Sequence, residues 1–266
     1  MNKRTGFTRL SGFTLIELLV VIAIIALLMS ILMPALQRVK KQAHLVGCQS
    51  RLRQWGLVFY MYTNDNNGYF DTRPFGTQYQ RLWPDFYLPY YKDIRMRCCP
   101  AAKNPNTLWG AFGTWGWKNT AKDTDWGWGG DWTPAEGTFG SYGMSRYVHN
   151  NADSDTAVYW RRADVKNADT IPVFLDCMYV AINPVDTDAP PQYDGQRANQ
   201  MQYSCINRHI GHINGLFMDW SSRKIGLKEL WTLRWHRQYD IAGTWTQAGG
   251  VTTQDWPLWM RTFKDY

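Results

Sequence analysis

Residues 13–36 read FTLIELLVVIAIIALLMSILMPAL, an apolar run carrying a single charge at Glu17. Wound as an α-helix at 1.5 Å per residue, it would measure about 36 Å. That is enough to cross the hydrocarbon core of a bilayer, about 30 Å. The run is too long for the apolar stretch of a secretory signal, and no small-x-small cleavage site closes it. Ahead of it stands the short basic segment MNKRTGFTRLSG, which by the positive-inside rule stays in the cytoplasm and sends the following chain outward. Two readings stand: a plain membrane anchor, or an anchor whose leader is cut away.

Glu17 decides between them. A carboxylate in a membrane helix costs roughly 2.5–3.5 kcal/mol on insertion scales, so it calls for a partner. Gly12-Phe13-Thr14-Leu15-Ile16-Glu17 resembles the type IV prepilin signature, in which a glycine precedes the cut, a hydrophobic residue follows it and a glutamate stands fifth in the cut chain. The resemblance implies that a prepilin peptidase cleaves between Gly12 and Phe13 and methylates the new amine of Phe13. It also implies that Glu17 pairs with the amine of a neighbouring subunit during assembly. Gly6-Phe7 is a decoy, because Ser11 stands where the glutamate should be and Arg9 would fall inside the anchor. Pro34 fits the same family, whose helices often carry a proline near this place; a mid-helix proline removes a hydrogen bond and kinks the rod. An uncleaved signal anchor is the alternative.

The 266 residues suffice for one domain plus an appendage. The formal charge is +7, but Lys3, Arg4 and Arg9 lie in the first twelve residues, and without them the excess is about +4. This is too mild and dispersed for a nucleic-acid surface. Tryptophan is abundant at 15 residues, which points to flat side chains filling a core or an interface. Cys48, Cys98, Cys99, Cys177 and Cys205 show no zinc-type spacing, so neither a metal nor another cofactor is expected. Outside the cytoplasm disulfides are permissible, and an odd count leaves one thiol unpaired.

Beyond Pro34 the helical pattern continues. Leu36, Val39, Ala43 and Val46 form one stripe, and Leu52, Trp55, Phe59 and Tyr62 another, with basic residues between. This predicts an amphipathic half laid on a head, ending in the turn-forming run Asn64-Asp65-Asn66-Asn67-Gly68. That run fails as a calcium loop, lacking a glutamate at the twelfth position. Residues 69–150 read as loops, with Trp109, Trp115, Trp117, Trp126, Trp128 and Trp132 among glycines. Those indoles either pack on the sheet or stack on sugar rings. Strands are expected at 157–160, 171–176 and 215–218, and a helix-like stretch near 227–235. One long helix followed by strands predicts an α+β fold with a mainly antiparallel sheet and long loops. The boundaries read as a leader at 1–12, a transmembrane helix at 13–36, its amphipathic half at 37–64 and a globular head at 65–266.

Residues 208–220, RHIGHINGLFMDW, resemble a second hallmark of a large group of prepilin-like bacterial proteins, a histidine followed nine residues later by Asp-Gly. His209 and Asp219 match, and Trp220 replaces the glycine. Residues 48–68 and Cys99-Pro100 resemble further recurring parts of that group. Catalysis by His209, His212 and Asp219 lacks an accompanying nucleophile motif. The segment reads as a turn between strands, with Asn214-Gly215 as the tight connection and His209 bonded to Asp219 across it. Cys48 is expected to pair with Cys98 or Cys99, tying helix to head, and Cys177 with Cys205.

The resemblance implies a structural, non-enzymatic subunit of a type II secretion pseudopilus or a type IV pilus-like filament. Its expected partners are the prepilin peptidase, other pilin or pseudopilin subunits and the inner membrane, with no nucleic acid. The expected location is a single pass in the inner membrane with the head in the periplasm, then a periplasmic or extracellular filament. The rival reading is a membrane-tethered carbohydrate-binding protein that uses a prepilin-type leader.

Overall fold

The computed structural model describes residues 14–72, 83–102, 104–108, 111–116, 139–150 and 155–266. A single helix, α1 (Leu15–Asp65), runs unbroken through Pro34. Its start is a capping box: Thr14 Oγ1 accepts the Glu17 N–H at 3.3 Å, and Glu17 Oε2 accepts the Thr14 N–H at 2.8 Å. Its end is a left-handed turn at Asn67 (φ 55°) and Gly68 (φ 82°), where the Gly68 N–H donates to Thr63 O at 2.7 Å.

The chain divides into two compact units, Met1–Ala43 and His44–Tyr266. In the first, every described residue is exposed, and the helix there is long and apolar enough to cross a membrane. In the second, burial along α1 begins at Cys48 and continues through Leu52, Trp55 and Phe59, one face of a 3.6-residue helix. The stripe expected from residue 36 onward starts later than the sequence pattern suggested. Leu36, Val39 and Val46 are exposed, because apolar spacing alone does not say which part of a stripe has a partner.

Among its described residues the head holds two sheets. The short helix α2 (Trp83–Phe86) comes before the strands β1 (Asn104–Leu108), β2 (Gly113–Gly116), β3 (Phe139–Gly140) and β4 (Tyr142–Ser145). Then follow β5 (Pro172–Asp176), β6 (Ala181–Ile182), β7 (His212–Phe217) and β8 (Ser222–Gly226). The larger sheet has the order β6-β4-β5-β7-β8, antiparallel except for β4 with β6. The smaller, β1-β2-β3, has one parallel and one antiparallel pair. The fold is α+β. β4 and β5 are buried at every residue, and Trp55 and Phe59 of α1 pack on Phe174 of β5 with ring centroids 5.1 and 5.6 Å apart.

Strands form near 171–176 and 215–218, whereas 157–158 is a turn and 159–160 is irregular. There the Val158 and Tyr159 N–H groups both donate to Asp155 O, so the aspartate's turn outcompetes the branched residues. The stretch at 227–235 is helical only as a short 3₁₀ turn, Lys228–Thr232. Long irregular segments are secured by tryptophan. Trp83, Trp115, Trp160, Trp231 and Trp259 each send the indole N–H to a backbone carbonyl at least 27 residues away, of Val180, Tyr142, Trp235, Asp188 and Pro191. Trp109, Trp117, Trp126, Trp128 and Trp132, and the sugar-stacking reading built on them, lie outside the described residues.

Gly143 in β4 is a close approach. A Cβ there would stand 2.5 Å from Tyr179 O and 2.8 Å from Cys177 Cβ, and neither neighbour is a flexible tip. Gly143→Ala is expected to cost about 1–3 kcal/mol through overpacking. Thermal melting followed by circular dichroism checks this; an unchanged midpoint contradicts the packing.

Candidate functional site

Two places bear on function, and the first is the start of α1. Glu17 Oε2 accepts both the N–H and the hydroxyl of Thr14, at 2.8 and 2.7 Å. The carboxylate that the sequence left in need of a partner thus caps its own helix. Gly12 and Phe13 lie outside the described residues. Pro34 is exposed, like its neighbours in the apolar run.

The second place is built from the segments around Cys48, Cys99, Asp176 and His209. Cys48 is the first fully buried residue of α1. Cys99 follows a 3₁₀ turn, Ile94–Arg97, that is fixed when Asp93 accepts the Arg95 N–H. Asp176 ends β5, and His209 precedes β7. The histidine is aimed inward by a strained turn: Ile210 and Gly211 take φ 55° and 78°, left-handed values that a β-branched residue rarely adopts. The Gly211 N–H donates to Asn207 Oδ1 at 2.6 Å and the His209 N–H to His212 O at 3.0 Å.

This turn geometry corrects the reading of 208–220. Asn214 and Gly215 lie inside β7, and the tight connection to β8 falls at 218–221. There Trp220 itself takes φ 66°, so a bulky residue fills the left-handed position that the glycine would have taken. The Trp220 ring compensates by stacking on Phe59, with centroids 6.5 Å apart and 16° between planes. Asp219 accepts the Ser221 N–H at 2.9 Å at the surface. His209 faces Asp176 and not Asp219, because the two ends of the motif sit at opposite ends of β7. His212 places Nδ1 2.9 Å from Ile210 O, in the turn and outside the cluster.

The donor atoms of Cys48, Cys99, Asp176 and His209 all lie within 4.8 Å of one another, and all four residues are buried. Asp176 Oδ2 is 3.4 Å from Cys48 Sγ and 3.1 Å from His209 Nε2, and His209 Nε2 is 3.3 Å from Cys99 Sγ. Outside this ring the Tyr142 hydroxyl donates to Cys48 Sγ at 3.2 Å and the Ala101 N–H to Cys99 Sγ at 3.4 Å. The Asn214 N–H donates to Asp176 Oδ2 at 2.9 Å. The Asn214 side-chain amide is buried with no hydrogen-bond partner among the described residues.

Arg208, whose side chain is fully buried, donates to Asp176 Oδ1 at 2.9 Å. It also bonds the carbonyls of Ser141 at 2.6 Å and Ala111 at 2.7 Å. Burial alone would raise the Asp176 carboxyl, yet the charges of His209 and Arg208 hold it well below the ordinary range. Burial opposes charging His209, but Asp176 and Cys99 raise it to about 9. Burial pushes the Cys48 thiol up, reinforced by Cys99 and Asp176. Cys99 is equally buried, yet hydrogen bonds with Cys48 and His209 and the charge of Arg208 bring it down to about 7.

All five cysteines are free, so neither expected pairing is formed: Cys48 meets Cys99 as a thiol, and Cys177 is not bonded to Cys205. Burial pushes the Cys98 thiol up to about 11 and Cys177 to about 12. The expectation of no metal site rested on local spacing, and these donors come from four separate places in the chain. Three of them belong to the stretches that drew notice singly, 48–68, Cys99-Pro100 and 208–220. Asp176, Arg208 and Tyr142 were missed as site residues; the one signal for Asp176 was a carboxylate closing an otherwise apolar strand, PVFLD.

The chain matches the family model described as a prokaryotic N-terminal methylation motif, over residues 9–33. Comparison with curated proteins and with solved structures gives no match. The N-terminus is therefore prepilin-like, and the match does not extend to the head.

Proposed function

We propose that this chain is a structural subunit of a type II secretion pseudopilus or type IV pilus-like filament. A prepilin peptidase cuts it after Gly12 and methylates Phe13, and it assembles through its N-terminal helix with other pilin or pseudopilin subunits. One observation carries the reading: the methylation motif at 9–33 coincides with a helix whose apolar residues are all exposed from Leu15 to Leu36. Those 22 residues rise about 33 Å, a bilayer span, and the same surface can pack against copies of itself once drawn from the membrane. Before assembly the chain crosses the inner membrane once with its head in the periplasm. A head-to-tail assembly of this kind does not close. A non-enzymatic role is supported by the burial of His209, whose side chain is 1% exposed, too enclosed to meet a substrate.

N-terminal sequencing of the chain from its native membrane tests the reading. The expected mature chain starts at N-methylated Phe13, and an intact Met1 overturns it. Gly12→Val is expected to leave the leader attached. An immunoblot against the head would then show only the longer species, and normal trimming of this variant counts against the assigned cut.

A further inference from the structure

We propose that Cys48, Cys99, Asp176 and His209 form a closed structural site for a divalent cation of the zinc class, joining α1 to the sheet. The donor set is two sulfurs, an imidazole nitrogen and a carboxylate oxygen, the mixture that a tetrahedral zinc takes. With metal–ligand lengths of about 2.0–2.3 Å, the edges of such a tetrahedron run about 3.3–3.8 Å. Three donor pairs at 3.4, 3.3 and 3.1 Å lie close to that range and the remaining pairs are within 4.8 Å, so the four side chains would draw together to seat the ion.

The surroundings suit thiolate ligands. Each sulfur accepts a hydrogen bond from outside the ring, from Tyr142 and from Ala101, and Asp176 is oriented by Arg208 and the Asn214 N–H. Such outer contacts fix ligand orientation and tune the ion. The charges also close: two thiolates and a carboxylate balance a dication and the buried Arg208 guanidinium, leaving the pocket neutral in a low dielectric. All four ligands come from the protein, with no open position, which is the pattern of a structural and not a catalytic site. A Cys48–Cys99 disulfide would instead strip both sulfurs of their charge and leave Asp176 and His209 facing an inert bridge.

The inference stands on the head alone and does not depend on how the N-terminus is processed. The test uses the full chain, without a histidine tag, extracted in detergent from cells grown with zinc. Elemental analysis is expected to find about one zinc per chain, and X-ray absorption at the zinc edge two sulfur and two lighter ligands. Replacement by Co²⁺ is expected to give thiolate-to-cobalt charge-transfer bands and intense tetrahedral d–d bands. Cys48→Ser and His209→Gln are expected to lower zinc content at least about tenfold, whereas Cys98→Ser and Cys205→Ser keep it. If a ligand variant fails to fold, the absorption and cobalt spectra of the unaltered chain still decide. A folded, metal-free chain that neither takes up zinc nor gives the cobalt bands overturns the proposal. So does a Cys48–Cys99 disulfide in protein from the native membrane, or zinc retained in Cys48→Ser.

Discussion

Arg208→Ala is expected to destabilise the head by about 3–5 kcal/mol, the cost of removing one partner from a buried ion pair. Arg208 and Asp176 side chains are both 0% exposed, so the carboxylate, left with His209 and the Asn214 N–H alone, has no water to replace the guanidinium. The same change strips hydrogen bonds from the carbonyls of Ala111, Ser141 and Gly113, which lie at the start of β2 and at the junction of β3 and β4. Arg208→Lys keeps the charge but loses the planar fork that reaches several acceptors at once, and should recover only part of the loss. Denaturant unfolding followed by tryptophan fluorescence measures both. The exposed pair Arg95–Asp93, with side chains 82% and 45% accessible, is the control, and Arg95→Ala should change stability by less than about 1 kcal/mol. Equal effects at the two sites would contradict the account. The acid side adds a sign. The Asp176 carboxyl is depressed in the fold, so its contribution is complete above the ordinary carboxylate range and fades as pH falls towards the depressed value. Arg208→Ala lifts that value, and the variant is expected to unfold at a higher pH than the unaltered chain.

Glu17→Gln is expected to abolish filaments while leaving leader removal intact. Two roles meet at this side chain: it caps its own helix through Thr14, and the proposed assembly asks it to balance the methylated amine of a neighbour. Glutamine serves a capping box nearly as well as glutamate but carries no charge, so this exchange separates the roles. Thr14→Ala is the converse, weakening the cap by about 1 kcal/mol and keeping the carboxylate. The expected pair of results is no filaments with Glu17→Gln and filaments with Thr14→Ala, scored by electron microscopy of sheared surface or periplasmic material. Filaments from Glu17→Gln would show that capping, and not countercharge, is what the residue supplies.

The α+β class and the long helix were legible because residues 15–36 admit few alternatives and because Leu52, Trp55, Phe59 and Tyr62 repeat with helical spacing. The strand at 171–176 was legible for a similar reason, an apolar run too short for a helix. The buried cluster was not. Its donors lie 128 residues apart along the chain from Cys48 to Asp176, and ligand spacing rules describe sites made by local loops. The reading of 208–220 missed because a tryptophan was not expected to hold a left-handed turn; stacking on Phe59, more than a hundred and fifty residues away, makes that conformation tolerable. Arg208 shows the same limit, since a guanidinium in a motif looks like surface charge until the carbonyls around it are seen.

The strand order has a consequence for how the chain is made. β5 lies between β4 and β7, and the helix that rests on β5 is synthesised first. Trp55 and Phe59 therefore leave the ribosome more than a hundred residues ahead of Phe174, with Trp83, Tyr87 and Tyr91 the nearer partners to arrive before it. The sheet cannot close until 212–226 has followed, so the head matures late, after most of its length has been delivered. Such non-local pairing makes folding slow and leaves aromatic surface open meanwhile.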